Sequence, residues 1–147
     1  MKTMEQLLEY NEIMKENDEI YRHLAKTFGL SECTFWILYC LRTTSALTQS
    51  ELCRLLYEPK QTVNSALKKL ETEGFLTLTP GSDRRSKIIE LTEKGSVLAG
   101  KTADKVIFAE EHAILSLEKS EQTLFLQLFH KYTDALKIQI KEIEKEP

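Results

Sequence analysis

The chain has 147 residues, 41% of them hydrophobic and 29% charged, and a net charge of −3. That length suffices for one domain with a buried core, and no apolar run approaches the roughly 18 residues that span a bilayer. The opening stretch, MKTMEQLLEYNEIMKEND, is acidic and amphipathic, unlike a signal peptide, so the cytoplasm is the expected location.

The first segment, from about Thr3 to Phe28, places Leu7, Leu8, Ile13, Met14, Ile20, Tyr21, Leu24 and Phe28 along one stripe of a long helix, which Gly29 stops. Ser31 caps a second helix, Glu32 to about Arg42, apolar on most faces and therefore buried. Thr48-Gln49-Ser50-Glu51 is a capping box that opens a short helix through Leu52, Leu55 and Leu56. Pro59 marks the next helix start, since a proline at the first helical position loses no hydrogen bond. That helix runs to about Glu73, with Val63, Ala66, Leu67 and Leu70 inward, and Gly74 ends it. Phe75–Thr79 and Lys87–Leu91 are β-branched and apolar, and the turn Pro80-Gly81-Ser82-Asp83-Arg84-Arg85 joins them into a hairpin with a basic tip. Thr92 caps a long helix to about Leu115. A last helix, about Glu118 to Lys145, spaces Phe125, Leu128, Phe129, Tyr132, Leu136, Ile140 and Ile143 helically.

This order predicts a mostly α fold with a small antiparallel β-wing. A winged helix-turn-helix over residues 31–92 is expected within a single domain of residues 1–147. The flanking helices, 3–28 and 93–145, have more apolar surface than a unit of that size covers. They are expected to form a helical dimerisation region with a second copy of the chain; the alternative is a monomer with these helices folded over the core.

Charge is unevenly spread. From Pro59 to Lys87 there are six basic residues and three acids, a net of +3, which leaves −6 for the remainder. Screening confines fields to about 8–10 Å at ordinary salt, so a local basic face on an acidic chain can still bind phosphates. On the helix after Pro59, Gln61, Thr62, Asn64 and Ser65 are short polar side chains of the kind that read base edges. Lys60, Lys68 and Lys69, with Lys87 on the second strand, are candidates for phosphates. The alternative is a solvated helix face. In the wing, Arg84 or Arg85 can enter a minor groove, where negative potential is concentrated, with Asp83 holding the other. The alternative there is a polar turn with an incidental ion pair.

The three cysteines, Cys33, Cys40 and Cys53, have no zinc spacing and read as reduced core residues. Cys33 is the candidate for a thiol sensor, because it lies in the first turn of a helix and a helix N-terminus lowers a thiol pKa. His23, His112 and His130 lie in separate helices, so neither a metal nor a cofactor is expected. No Ser/His/Asp order, no paired carboxylates in a loop and no phosphate-cradling glycine loop is present, so an enzyme is not expected. A winged-helix protein-interaction module would expose apolar residues on the helix after Pro59, which this chain does not place there.

The chain resembles the MarR family of winged-helix transcriptional regulators over nearly its full length. The resemblance is carried by Leu30-Ser31 leading into Trp36-Ile37-Leu38, Leu47-Thr48-Gln49-Ser50-Glu51-Leu52, Lys60-Gln61-Thr62-Val63-Asn64, Leu70-Glu71 with Gly74-Phe75-Leu76, Asp83-Arg84-Arg85, and Leu91-Thr92-Glu93-Lys94-Gly95. It implies a homodimer joined by its terminal helices and bound to double-stranded DNA at a pseudo-palindromic operator. Such a protein is usually a repressor, released by a small ligand or by thiol oxidation. It also implies a ligand pocket with walls from Tyr21, Trp36, Tyr39 and the helix after Thr92; plain core packing is the alternative for these aromatics. Leu78 stands where family members often carry an arginine.

Overall fold

The computed structural model describes residues 2–44, 47–82 and 86–146. Its elements are α1 (Thr3–Thr27), α2 (Glu32–Thr43), α3 (Gln49–Leu56), α4 (Lys60–Thr72), β1 (Leu76–Pro80), β2 (Lys87–Leu91), α5 (Glu93–Lys101), α6 (Ala103–Leu115) and α7 (Lys119–Glu144). The chain divides into two compact units, Met1–Val106 and Ile107–Pro147.

Helix ends in the first unit are set by side chains the sequence makes legible. The hydroxyls of Ser31, Thr48 and Thr92 accept from the amides of Thr34, Glu51 and Gly95, each at 3.1 Å. Each hydroxyl satisfies an amide that has no intrahelical partner. At the other end of α4, Gly74 adopts φ +81°. Its N–H donates to Glu71 O (3.0 Å) and the Phe75 N–H to Leu70 O (2.9 Å). This is a Schellman cap, which needs a left-handed residue. It draws Phe75 into the helix end, so β1 begins at Leu76. α3 ends differently: Tyr57 takes φ 52°, ψ 31°. It is the one non-glycine residue with positive φ among the described residues. A bulky side chain there costs about 1 kcal/mol.

The two strands pair antiparallel from Leu76↔Leu91 to Pro80↔Lys87. The free side of β2 is met by the residues leading into α3: Ile89 N–H donates to Leu47 O at 2.9 Å, and Thr48 bridges to Ile88. The wing is thereby tied to the start of the helix-turn-helix. One buried cluster joins α2, α3, α4 and the hairpin through Ile37, Leu52, Val63, Leu67, Leu70, Leu76 and Ile89. A second holds Ala25, Phe35 and Val106, with Tyr21, Leu24, Phe28, Leu30, Trp36 and Tyr39 packed on it.

The helix expected from Thr92 to Leu115 is two helices. It breaks at Thr102, which is buried and has φ −127°, ψ −86°. The Thr102 hydroxyl donates to Leu98 O at 2.8 Å and its N–H to Ala99 O at 3.2 Å. A threonine hydroxyl bonded one turn back weakens the helical ladder but does not break it alone, since Thr133 makes the same bond to Phe129 O (2.8 Å) within the continuous α7. Arg42 braces the break from α2, donating from Nε to Asp104 Oδ1 (3.0 Å) and from Nη2 to Ser96 O (3.0 Å).

The start of α5 is locked onto the end of α4. Thr92 Oγ1 donates to Gly74 O (2.6 Å) and Lys94 Nζ to Glu73 O (2.7 Å). The Lys94 ammonium also lies 4.5 Å from the centre of the Phe75 ring, within cation–π range. Gly95 passes so close that a Cβ on it would overlap the Phe75 carbonyl.

In the second unit, α7 starts from Glu118, whose N–H donates to Glu121 Oε1 at 2.8 Å. α7 has no buried residue among those described, and exposes Leu124, Phe125, Leu128, Phe129, Ile138 and Ile143.

Gly95→Ala is expected to lower unfolding stability by at least about 1–3 kcal/mol, since backbone must move to admit the methyl. Gly100→Ala, where the nearest atom lies 3.9 Å from the added Cβ, should be neutral or stabilising by up to about 1 kcal/mol. Urea unfolding of the two variants checks the contrast.

Candidate nucleic-acid interface

α3 and α4 are joined by the turn Tyr57–Pro59, and α4 turns Val63, Leu67 and Leu70 into the core. The opposite face is left to polar residues by the helical repeat. Lys60, Gln61, Asn64, Ser65 and Lys68 come together along one shallow groove. Lys60, Gln61, Thr62, Ser65, Lys68 and Lys69 are all exposed. Among the described residues, none of Lys60, Lys68, Lys69 or Lys87 is in an ion pair. Their charge is therefore uncompensated at short range and available to an anion.

Not every expected residue joins this line. Thr62 and Lys69 lie further round the helix and, with Ser65, wall a cavity of about 500 Å³ between α4 and the loop into α2. Gly29, Leu30, Ser31, Cys33 and Thr34 form its other side, with Phe75 and Leu98. Asn64 is half-buried, and its Oδ1 is buried without a hydrogen-bond partner among the described residues. A bidentate contact to adenine needs both amide atoms outside, so Asn64 must rotate before it reads a base that way. Lys87 is exposed at the start of β2. Beside it Ser86 Oγ donates to Ser50 Oγ at 3.2 Å, joining the wing base to the first turn of α3. Asp83, Arg84 and Arg85 lie outside the described residues.

Tyr21, Trp36 and Tyr39 are brought together, but as packing. Tyr21 and Trp36 have ring centroids 4.9 Å apart, Trp36 and Tyr39 5.2 Å. All three rest on the second buried cluster. None lines the cavity beside α4; of the walls expected for a pocket, the helix after Thr92 supplies one, through Leu98.

Cys33 does lie on that cavity, in the first turn of α2. Burial pushes its thiol above the ordinary value, with further contributions from Glu58 and Cys53. Burial also raises Cys40. This is opposite to the lowering expected from a helix N-terminus. Among the described residues there is no group of three or more His, Cys, Asp or Glu arranged to hold a metal, and no helix long and apolar enough to cross a membrane.

Two features escaped sequence reasoning. Lys94 acts as a cap for α4 from a helix away, and only the folded chain brings them together. Tyr57 carries a weak signal: a helix end with no glycine or asparagine to take the left-handed position.

A three-helix core, a helix-turn-helix with a polar and cationic outer face, and a hairpin packed beside it define a winged helix-turn-helix DNA-binding protein. The model of the MarR family matches residues 24–86. An HTH-type transcriptional regulator of Bacillus subtilis (strain 168), YwoH, is 30% identical over 71% of this chain and 77% of its own. The HTH-type transcriptional repressor NicR of Pseudomonas putida is 28% identical over 79% of this chain and 74% of its own. A MarR family regulator from Neisseria meningitidis superposes with a TM-score of 0.79 at 22% identity, covering 97% of this chain and 99% of that one. The chain belongs to the MarR family: it is a DNA-binding transcriptional regulator, and the family is non-catalytic.

The thiol environment has a direct consequence. A raised pKa lowers the thiolate fraction at neutral pH, so Cys33 and Cys40 should react with iodoacetamide more slowly than a free cysteine peptide at pH 7–8. The rate should keep rising above pH 9.0, the ordinary value for a thiol here. Mass spectrometry of the native protein across pH reads both rates; Cys33 alkylating faster than the peptide at pH 7 contradicts the assignment.

Proposed function

We propose that this chain is a homodimeric repressor that reads a pseudo-palindromic operator with α4 and releases it when a small ligand binds. The observation that carries this reading is the outer face of α4. It is a row of amide, hydroxyl and ammonium groups with no acid between Lys60 and Lys69 and, among the described residues, no ion pair to its lysines. In such a row Gln61 and Asn64 suit adenine edges, and Thr62 and Ser65 suit either a base or a phosphate. Lys60, Lys68, Lys69 and Lys87 suit phosphates. Rotation of Asn64 toward a base loses no hydrogen bond of its buried oxygen and gives that oxygen a partner, an exchange that favours the bound form. Arg84 and Arg85, steadied by Asp83, are the wing's candidates for the minor groove.

Pairing is supported by the terminal helices, residues 3–28 and 93–145. α1 exposes Leu7, Leu8, Ile13 and Ile20, and α7 adds a run of exposed leucines and phenylalanines. Exposed apolar surface of this extent on each helix calls for a partner, and a second copy supplies one with two-fold symmetry. A dimer carries two α4 helices, which matches a site built of two related half-sites. The residues 31–92 are then the DNA-binding region, working in the cytoplasm.

Release by a ligand is supported by the cavity between the loop before α2 and α4. Its volume, about 500 Å³, is in the range that holds a small molecule. A ligand wedged there bears directly on Ser65 and Lys69, and so on the pose of α4. The raised thiol of Cys33 argues against oxidation as the trigger.

Selection of bound duplexes from random DNA tests this reading. The expected outcome is two inverted half-sites; a single unrepeated site overturns the dimeric mode. Gln61→Ala or Asn64→Ala should relax preference at one position per half-site by about 1–3 kcal/mol, seen by repeating the selection with each variant. Lys68→Ala should weaken binding to selected and scrambled duplexes alike. It should also reduce the slope of log affinity against log salt by about one per subunit; an unchanged slope removes Lys68 from the phosphates.

A further inference from the structure

We propose that Tyr57, in the turn of the helix-turn-helix, is a DNA contact. Its ring lies against the sugar-phosphate backbone beside the groove that α4 enters, and its hydroxyl donates to a phosphate oxygen. The inference rests on the reading of α4 as the DNA-facing helix.

Two independent observations single this residue out. Its backbone is left-handed, φ 52° and ψ 31°, a conformation that glycine or asparagine adopts freely and a tyrosine does not. The residue is 91% exposed, so little in the chain's own packing offsets that cost. Strain of this kind at an exposed residue is a mark of a functional surface.

The position selects the partner. Tyr57 closes α3 and stands two residues before Pro59, the N-cap of α4. In a helix-turn-helix the first residues of the second helix approach the base edges, so the turn ahead of them borders the flanking phosphates. Lys60 and Gln61, at that end of α4, line the polar groove. A tyrosine hydroxyl is a regular donor to phosphate oxygens, and its ring is a flat apolar surface for a deoxyribose. The neighbouring Glu58 is exposed as well, so the contact proposed for Tyr57 is a neutral hydrogen bond and a ring surface, not a cation on a phosphate. The exposed Leu55 of α3 lies on the same stretch, and a second copy of the chain is the other occupant such a surface admits.

The test uses the full chain and a duplex selected by the wild-type protein, with a scrambled duplex for comparison. Tyr57→Asn keeps a residue that tolerates the left-handed backbone and removes the ring. It should weaken binding to both duplexes roughly five- to fifty-fold, and Tyr57→Phe, which removes one neutral hydrogen bond, roughly two- to tenfold. The salt slope should be unchanged in both, since a neutral contact releases no counterion. The melting temperature of Tyr57→Asn should be unchanged or raised. Wild-type affinity in Tyr57→Asn overturns the proposal. So does a loss that follows a fall in melting temperature, or altered self-association with DNA affinity intact. Lys68→Ala separates the two readings. If it weakens binding while Tyr57→Asn does not, the Tyr57 contact fails and the DNA-facing α4 stands; if neither variant weakens binding, the reading of α4 fails.

Discussion

The contact of Gly95 with the Phe75 carbonyl is the constraint on which the first unit depends. Three elements end or begin there: α4 stops, the hairpin starts and α5 starts. Each contributes a backbone group that would otherwise be unsatisfied. Thr92 and Lys94 supply the donors to the carbonyls of Gly74 and Glu73, and Thr92 N–H donates to Phe75 O at 3.1 Å. The absence of a side chain at Gly95 lets all of these form together. Close backbone approach of this kind transmits position well, because peptide groups in contact cannot yield as side chains do. The orientation of α4 is thus held at its far end by α5 and along its length by the core.

That arrangement leaves α4 with two working faces. One gathers Gln61, Asn64 and Lys68 on a groove open to solvent, and the other turns Thr62 and Lys69 toward the cavity shared with the loop into α2. Ser65 belongs to both. A helix anchored at its C-terminal end and bordered by a void on one flank has its softest direction toward that void.

Much of this was legible in the chain because local chemistry set it. Ser31, Thr48 and Thr92 cap helices wherever a helix follows them, and Gly74 ends α4 through a conformation that other residues avoid. The inward set of α4 follows from the 3.6-residue repeat alone. What was not legible depended on contacts between distant segments or on competition within one turn. At Thr102 a helix that hydrophobic periodicity carries through is broken, and Arg42 of α2 holds both sides of the break from a distant segment. Cys33 has the helix N-terminus that favours a thiolate, yet burial and Glu58 outweigh it. Asn64 sits at the right place on the helix wheel, and its rotamer turns half of the amide inward.

The hairpin bears on how copies of this chain can meet. Of its two strands, β2 is covered on its outer side by Leu47 and Thr48. The open edge is β1, five residues long, with exposed threonines at Thr77 and Thr79 and Pro80 at its end. Proline offers no amide to an incoming strand, and a short polar edge gives little register to copy. Growth by strand addition, the route by which many β-proteins aggregate, is blunted at this edge. The sticky surface of the molecule is helical instead, and helical surfaces of limited length are saturated by a fixed number of neighbours. With this much leucine and phenylalanine displayed, exposed apolar area on α7 invites less open-ended association than the same area on a sheet edge would.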